Sequence, residues 1–157
     1  MSVIEEVASL LKARGETIAV AESSAGGLIS AALLSQGGAS AYYRGGAIVY
    51  TPKARAALMG LSREDMGQLR SASEPYARFM AAHARQRMNA TWGLAETGAA
   101  GPSGNAYGDA AGHCCLAVSG PVELSLVIET GHGDRAVNMA TFRDTALKLL
   151  LDALRAA

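Results

Sequence analysis

One stretch, residues 17–28, constrains the fold more than any other part of the chain. Its first half, TIAVA, is typical of a buried β-strand, and the polar, glycine-rich ESSAGG after it runs directly into a helical pattern of apolar residues. A helix that begins in such a corner leaves backbone N–H groups unpaired at its N-terminus, where the helix dipole adds positive charge. The first corner, residues 22–27, is therefore predicted to be an anion site beside Ser23. The alternative is that Ser23 or Ser24 only caps the helix.

Helical and strand-like patterns alternate along most of the remaining chain. Periodicity and capping residues predict a short helical piece after Ser62 and the following longer helices: 2–14, 28–35, 52–59, 74–90 and 135–155. Strands are predicted at 17–22, 46–50, 91–96, 113–118 and 122–129. This order predicts one α/β domain over residues 1–157, a three-layer α/β/α sandwich around a mostly parallel, mixed sheet.

Composition excludes several classes of function. Lys plus Arg and Asp plus Glu balance at 14 each, and no basic cluster of the kind that binds nucleic acid is present. No apolar run is long enough to span a membrane and residues 1–6 do not resemble a signal peptide, so we expect a cytoplasmic protein with no membrane partner. Neither histidines nor cysteines show metal-ligand spacing, so no metal and no cofactor are expected. Cys114 and Cys115 are interpreted as small buried hydrophobic residues.

Three polar residues fall at the carboxyl ends of predicted strands. These are Ser23, Tyr50 and Thr97. Because ligands of open α/β sheets bind at that edge, we expect the three to share one cleft. A second corner, residues 97–104, is dense in glycine and is either a nest of N–H groups for an anion or an ordinary turn.

The residues of this cleft suggest acyl-transfer chemistry. Ser23 is a candidate nucleophile, with N–H groups of its own turn and of Gly26 and Gly27 as donors to an oxyanion. Tyr50 and Lys53 are the candidate proton acceptors; His113 and His132 show no obvious orienting carboxylate. Both histidines remain open as alternative bases. Arg55 can hold a developing negative charge or a phosphate but cannot act as a base near neutral pH.

Five segments in order along the chain carry a resemblance to a known family. Residues 22–27 are similar to Glu-Ser-Cys-Thr-Gly-Gly, 38–46 to Gly-Ala-Ser-x-Tyr-Phe-x-Gly-Gly and 50–55 to Tyr-Ser-Asn-x-x-Lys. Residues 97–102 are similar to Thr-Gly-Ile-Ala-Gly-Pro, and 133–135 read Gly-Asp-Arg. Together they resemble the CinA C-terminal domain family, whose members include nicotinamide-mononucleotide deamidases.

The resemblance implies an α/β/α domain that self-associates as a homo-oligomer and hydrolyses the carboxamide of nicotinamide mononucleotide, giving nicotinic acid mononucleotide and ammonia. Ser23 would be the nucleophile, with Tyr50 and Arg55 as its catalytic partners. The residues implied to bind this small-molecule substrate come from both corners and the last helix: Glu22, Ser24, Gly26, Gly27, Thr97, Gly98, Gly101, Gly104 and Arg135.

The chain departs from the family pattern in the residues nearest this chemistry. Arg55 stands where the family has lysine, Ser24 and Ala25 replace Cys-Thr, and Glu96 replaces a small apolar residue. These departures leave two alternatives to the deamidase. One is a divergent module that binds a nucleotide or a partner without turnover, and the other is a hydrolase for a different amide or ester whose pocket Glu96 reshapes.

Overall fold

A computed structural model describes all residues, 1–157, as one mixed five-stranded sheet covered by helices on both faces. The strands are β1 (Ile18–Glu22), β2 (Tyr43–Ile48), β3 (Trp92–Gly98), β4 (His113–Ser119) and β5 (Leu124–Glu129). They lie in the order β2-β1-β3-β4-β5, with β2, β1 and β3 parallel and β4 and β5 antiparallel. The predicted α/β/α sandwich is confirmed.

Two separate hydrophobic cores hold the helices against the sheet. The helices are α1 (Val3–Arg14), α2 (Leu28–Leu34), α3 (Pro52–Met59), α4 (Arg63–Met66), α5 (Glu74–Arg87) and α6 (Arg135–Ala156). α1, α2 and α6 pack on one face around Trp92 and Phe142, whereas α5 packs on the other around Tyr76 and Met80. No helix is both long and apolar enough to cross a membrane.

The helix starts follow local capping chemistry, as predicted. Ser2, Ser62, Ser73 and Asp134 each accept a hydrogen bond from a backbone N–H in the first turn of the helix that follows. Around Ser62 the capping box is complete, because Asp65 also accepts from the Ser62 N–H. α6 then runs without interruption to residue 156, and its first turn reaches the edge of the sheet where the strands point their carboxyl ends.

Two predicted strand limits are wrong in a way that affects the site. β2 begins at Tyr43 and ends at Ile48, so Tyr50 lies beyond it in the connection to α3. Gly46 pairs with Val20 of β1 at a position where a side chain would meet Ser30 and Tyr43. β3 extends to Gly98, which places Thr97 on the strand and not in the corner after it.

Candidate functional site

A cavity of about 240 Å³ opens at the carboxyl ends of β1 and β3. Ser23 and Thr97 come from these strand ends, while Tyr50 and Arg55 come from the start of α3 and the connection before it. Thirteen residues line it: Ser23, Val49, Tyr50, Thr51, Pro52, Arg55, Ser71, Ala72, Tyr76, Thr97, Gly98, Asn105 and Tyr107. Arg55 is the one charged side chain among them, and most of the others present hydroxyl or amide groups.

Two buried carboxylates hold the first corner from beneath. Glu22 accepts hydrogen bonds from the N–H groups of Gly27, Ile29 and Ser30, at 2.9 to 3.1 Å. Glu22 therefore occupies the N-terminus of α2, where the sequence predicted a bound anion. The expectation that Gly26 and Gly27 offer free donors is wrong, since the Gly26 N–H is bonded to the Ser23 carbonyl.

Glu96 supports the other half of the same corner. Its Oε1 accepts from the N–H groups of Ser23 at 3.0 Å and Ala25 at 2.7 Å, and its Oε2 accepts from the Ser24 hydroxyl. Burial raises the pKa of the Glu96 carboxyl, against the opposing effect of these three hydrogen bonds. Glu96 is 2 % exposed and does not line the cavity, so it shapes the corner from below and not the ligand wall.

Ser23 itself is left free for chemistry. Its hydroxyl has no hydrogen-bond partner in the chain, so it is not used in capping α2, whose N-cap is Gly27. The N–H groups of Ser23 and Ala25 are taken by Glu96, which leaves the Ser24 N–H as the unpaired donor of the turn. A ligand oxyanion beside Ser23 would have to rely on this N–H and on side-chain donors of the cavity.

Arg135 joins the second corner to the rim of the cavity. Its Nη2 donates to the Tyr50 hydroxyl at 3.0 Å, and its Nη1 donates to the Gly101 carbonyl oxygen. Tyr50 is 59 % exposed, and this contact fixes its phenol oxygen at the mouth of the cavity. Arg135 does not line the cavity but orients a residue that does.

Arg55 lies inside the cavity wall without a counter-ion. Its Nη1 donates to the Tyr76 hydroxyl at 3.4 Å and its guanidinium lies 5.7 Å from the centre of the Tyr76 ring. Its Nε is buried and has no hydrogen-bond partner. Lys53, the other candidate base, is exposed and does not line the cavity. Arginine stays protonated at any ordinary pH, so Arg55 supplies charge and not a base.

The floor of the cavity is connected to a buried histidine that the sequence analysis undervalued. The Ala72 N–H donates to Thr97 Oγ1 at 2.9 Å, and the Ala72 carbonyl lies 2.8 Å from Nε2 of His113. His113 Nδ1 lies 2.7 Å from Oε2 of Glu129. The expectation that His113 has no orienting carboxylate is therefore wrong: Glu129 faces it directly across the β4–β5 ladder.

A loop between β3 and β4 covers the side of the cavity and supplies residues that sequence reasoning missed. Asn105 and Tyr107 line the cavity, and the Tyr107 hydroxyl lies 3.1 Å from that of Ser71. Arg70, in the connection between α4 and α5, forms an ion pair with Asp109 at 2.8 Å and so joins that connection to the β3–β4 loop. The position of the loop could have indicated these residues from the sequence, because the loop begins at the same sheet edge as Thr97.

The predicted site residues thus fall into two groups. The structure brings Ser23, Tyr50, Arg55, Thr97 and Gly98 together around the cavity. It places the others outside the lining: Glu22, Ser24, Gly26, Gly27, Gly101, Gly104 and Arg135. The last two glycines serve close backbone contacts, since a side chain at Gly101 would meet Gly133 and one at Gly104 would meet the Asp109 carbonyl.

This architecture matches a known family over almost the whole chain. The family model described as the CinA C-terminal domain matches residues 1–154. The chain belongs to the CinA C-terminal domain family. Among curated relatives, a CinA-like protein of Prochlorococcus marinus is 42% identical over 120 residues, covering 76% of this chain and 28% of that protein. One from Anaeromyxobacter sp. (strain K) is 38% identical over 151 residues, covering 96% and 37%.

Solved CinA superfamily structures share the fold along its full length. A competence-damaged protein (CinA) superfamily protein from Klebsiella pneumoniae matches with a TM-score of 0.89 and 25% identity, covering 100% of both chains. The competence/damage inducible protein CihA of Agrobacterium tumefaciens matches with a TM-score of 0.81 and 32% identity, covering 99% and 97%. The chain spans only about a third of the length of the curated relatives, 28% and 37% in the two given above.

Proposed function

We propose that this CinA C-terminal domain is an amide hydrolase that converts nicotinamide mononucleotide, or a closely similar carboxamide, to the corresponding acid and ammonia. The observation that carries the proposal is the convergence of Ser23, Tyr50, Arg55 and Thr97 on one cavity. The free Ser23 hydroxyl would attack the carboxamide carbon. The C–N bond then breaks, ammonia leaves with the serine proton, and water hydrolyses the acyl ester to release the acid.

Four groups at or beside the cavity have roles in this scheme that follow from their chemistry. The Thr97 hydroxyl and the N–H of Ser24, which lies next to Ser23 in the turn, are donors for the oxyanion of the tetrahedral intermediate. Arg55 balances negative charge, and we assign proton exchange with Ser23 to Tyr50, whose oxygen accepts a hydrogen bond from Arg135. Lys53 would have to enter the cavity to replace Tyr50 in that role.

Ammonia release from nicotinamide mononucleotide tests the proposal. We expect wild-type protein to release ammonia and Ser23→Ala to lose at least about 10³-fold in kcat, the size typical for removal of a nucleophile. Ser9→Ala, which changes an exposed serine of α1, is the matched control and should keep full activity. Release indistinguishable from background, or a fully active Ser23→Ala variant, would exclude this function for this substrate.

A second candidate function, a nucleotide-binding module without turnover, has one observation in its favour. No histidine, lysine, aspartate or glutamate lines the cavity, so the lining holds no ordinary general base. A thermal shift with nicotinamide mononucleotide separates the two candidates. A rise in Tm without ammonia release indicates binding alone, and an unchanged Tm counts against both.

We also propose that the chain forms a homo-oligomer. Leu126 and Val127 on edge strand β5 are 39% and 45% exposed, and an uncovered apolar edge of this kind favours pairing with another copy. Sedimentation velocity over a range of concentrations tests this. A single species with the mass of one chain at every concentration would rule it out.

A further inference from the structure

The cavity floor contains one residue in an unusual backbone conformation. Ala72 has a φ of +57°, in the left-handed region that side chains with a Cβ seldom adopt. Contacts to both of its peptide groups hold it there: its N–H donates to Thr97, and its carbonyl oxygen faces His113 Nε2 and Cys115 Sγ. Because Ala72 and Thr97 both line the cavity, the Ala72 conformation fixes part of the ligand wall.

The surroundings of His113 favour a ring that carries two protons. Nε2 faces the Ala72 carbonyl and Nδ1 faces the Glu129 carboxylate, and both of these oxygens only accept hydrogen bonds. Both contacts are hydrogen bonds only in the imidazolium form. In a neutral ring, one nitrogen lone pair would point at an oxygen instead, and one of the two contacts would become repulsive.

The contact between His113 and Ala72 also bears on Thr97, which is hydrogen-bonded to Ala72. Its hydroxyl oxygen accepts the Ala72 N–H and its own proton has no acceptor in the chain, so the proton is free to be donated into the cavity. We propose that protonated His113 is a positioning residue, which holds the Ala72 peptide and through it orients the Thr97 hydroxyl as a donor to the ligand. His113 does not line the cavity and touches no ligand itself.

Charged and titratable groups of four elements face this histidine. Glu129 lies on β5, Cys115 on β4 and Asp109 in the β3–β4 loop, 3.7 Å from His113 Nε2. Asp109 is paired with Arg70, which also donates weakly to the Ala72 carbonyl. The nearby acidic groups favour the imidazolium, and hydrogen bonds to Ala72 and Glu129 raise the pKa of His113 although burial alone would lower it.

Nuclear magnetic resonance of the full chain tests the coupling without any assumption about turnover. We expect the backbone amide signals of Ala72 and Thr97 to titrate between pH 5 and 9 with the same midpoint as the His113 ring. Glu129→Gln keeps an acceptor at Nδ1 but removes its charge, so it should lower that midpoint by about one pH unit. The rings of His83 and His132, which contact neither Ala72 nor Thr97, are internal controls.

Substitution of the histidine separates positioning from simple packing. Glutamine can place an N–H group where His113 Nε2 lies, at every pH. His113→Gln should therefore leave the Ala72 and Thr97 signals near their low-pH positions with no titration. His113→Leu should shift both toward their high-pH positions. If the His113 ring titrates while both amides stay fixed, or if His113→Gln and His113→Leu give the same amide shifts, the inference is wrong.

Ligand binding supplies a second measurement, which shares with the proposed function the premise that the cavity is the ligand site. Nicotinamide mononucleotide should bind wild-type protein about fivefold more weakly above the His113 midpoint than below it, the effect of losing one ordinary hydrogen bond. In His113→Gln the affinity should not change with pH. If the nucleotide does not bind at all, the proposed function fails, and the amide titrations still decide the role of His113.

Discussion

At the residue scale, the most consequential position is Arg55, because it puts a permanent cation where a proton acceptor would be useful. Its guanidinium has one hydrogen bond, to Tyr76, and no acidic partner. A lysine there could lose its proton in a partly buried site and accept that of Ser23, whereas arginine cannot.

Arg55→Lys is therefore expected to raise the rate of ammonia release from nicotinamide mononucleotide at pH 8 by at least about tenfold, within the range for one general base. Steady-state kcat measures the effect. Lys53→Arg, an exposed change on the same helix outside the cavity, is the control and should leave kcat unchanged. A fall in kcat for Arg55→Lys would mean that the guanidinium contributes more than a base could.

Ser24 and Glu96 are coupled, because the Ser24 hydroxyl donates a hydrogen bond to the Glu96 carboxylate. Glu96→Val would leave the N–H groups of Ser23 and Ala25 and the Ser24 hydroxyl without their acceptor. We expect this variant to lose about 3 kcal/mol in the free energy of unfolding, because each buried unsatisfied group costs about 1–3 kcal/mol. Glu96→Gln keeps all three contacts, with its amide donating to Ser24, and should be as stable as wild type or more stable at pH 8.

Urea denaturation of a double-mutant cycle measures the coupling directly. Adding Ser24→Ala to Glu96→Val should cost less than adding it to wild type, by about 1 kcal/mol, because the serine hydroxyl has already lost its acceptor. Additive effects would show that the two side chains act independently.

At the element scale, the sequence predicted helix starts, which depend on neighbouring residues, and missed side-chain contacts that depend on how strands pair. Caps such as Ser62 and Asp134 are local, so the helix starts were correct. The first corner was recognised, but its support by Glu96 was not, because Glu96 is brought to it only by the pairing of β3 with β1. In the same way, the contact between His113 and Glu129 depends on the register of β4 and β5.

Glycine in β3 shows how an element contact can be hidden in a sequence. Gly93 lies beneath α5, and a Cβ there would overlap the Ala81 carbonyl of that helix. Gly93→Ala should therefore push α5 from the sheet and cost about 3 kcal/mol, since a rigid backbone cannot yield as a side chain does. Gly37→Ala, with open space around it, should change the free energy of unfolding by less than about 0.5 kcal/mol. Equal effects in thermal denaturation would contradict this packing.

At the scale of the whole molecule, three buried or half-buried groups give the stability a pH dependence. The pKa values of His113 and Glu96 are raised, the first by hydrogen bonds that outweigh burial and the second by burial. The Arg70 hydrogen bond lowers the pKa of Asp109. Asp109 contributes stability above its ordinary value of 3.8, and this contribution is lost as the pH falls through its folded-state pKa.

The raised pKa values of His113 and Glu96 give the stability the opposite dependence on pH. Folding favours the protonated forms, so the His113 contribution is complete below its ordinary pKa of 6.5 and is lost as the pH rises through the higher folded value. The Glu96 contribution is likewise complete below the ordinary pKa of 4.5 and is lost as the pH rises through the higher folded value. The free energy of unfolding should therefore be greatest at about pH 4 to 5 and fall by about 1 kcal/mol or more toward pH 9. The double variant His113→Gln/Glu96→Gln carries neither titration, so its denaturation midpoint in urea should stay nearly constant across that range; a wild-type midpoint that rises with pH would reverse the assignment of both groups.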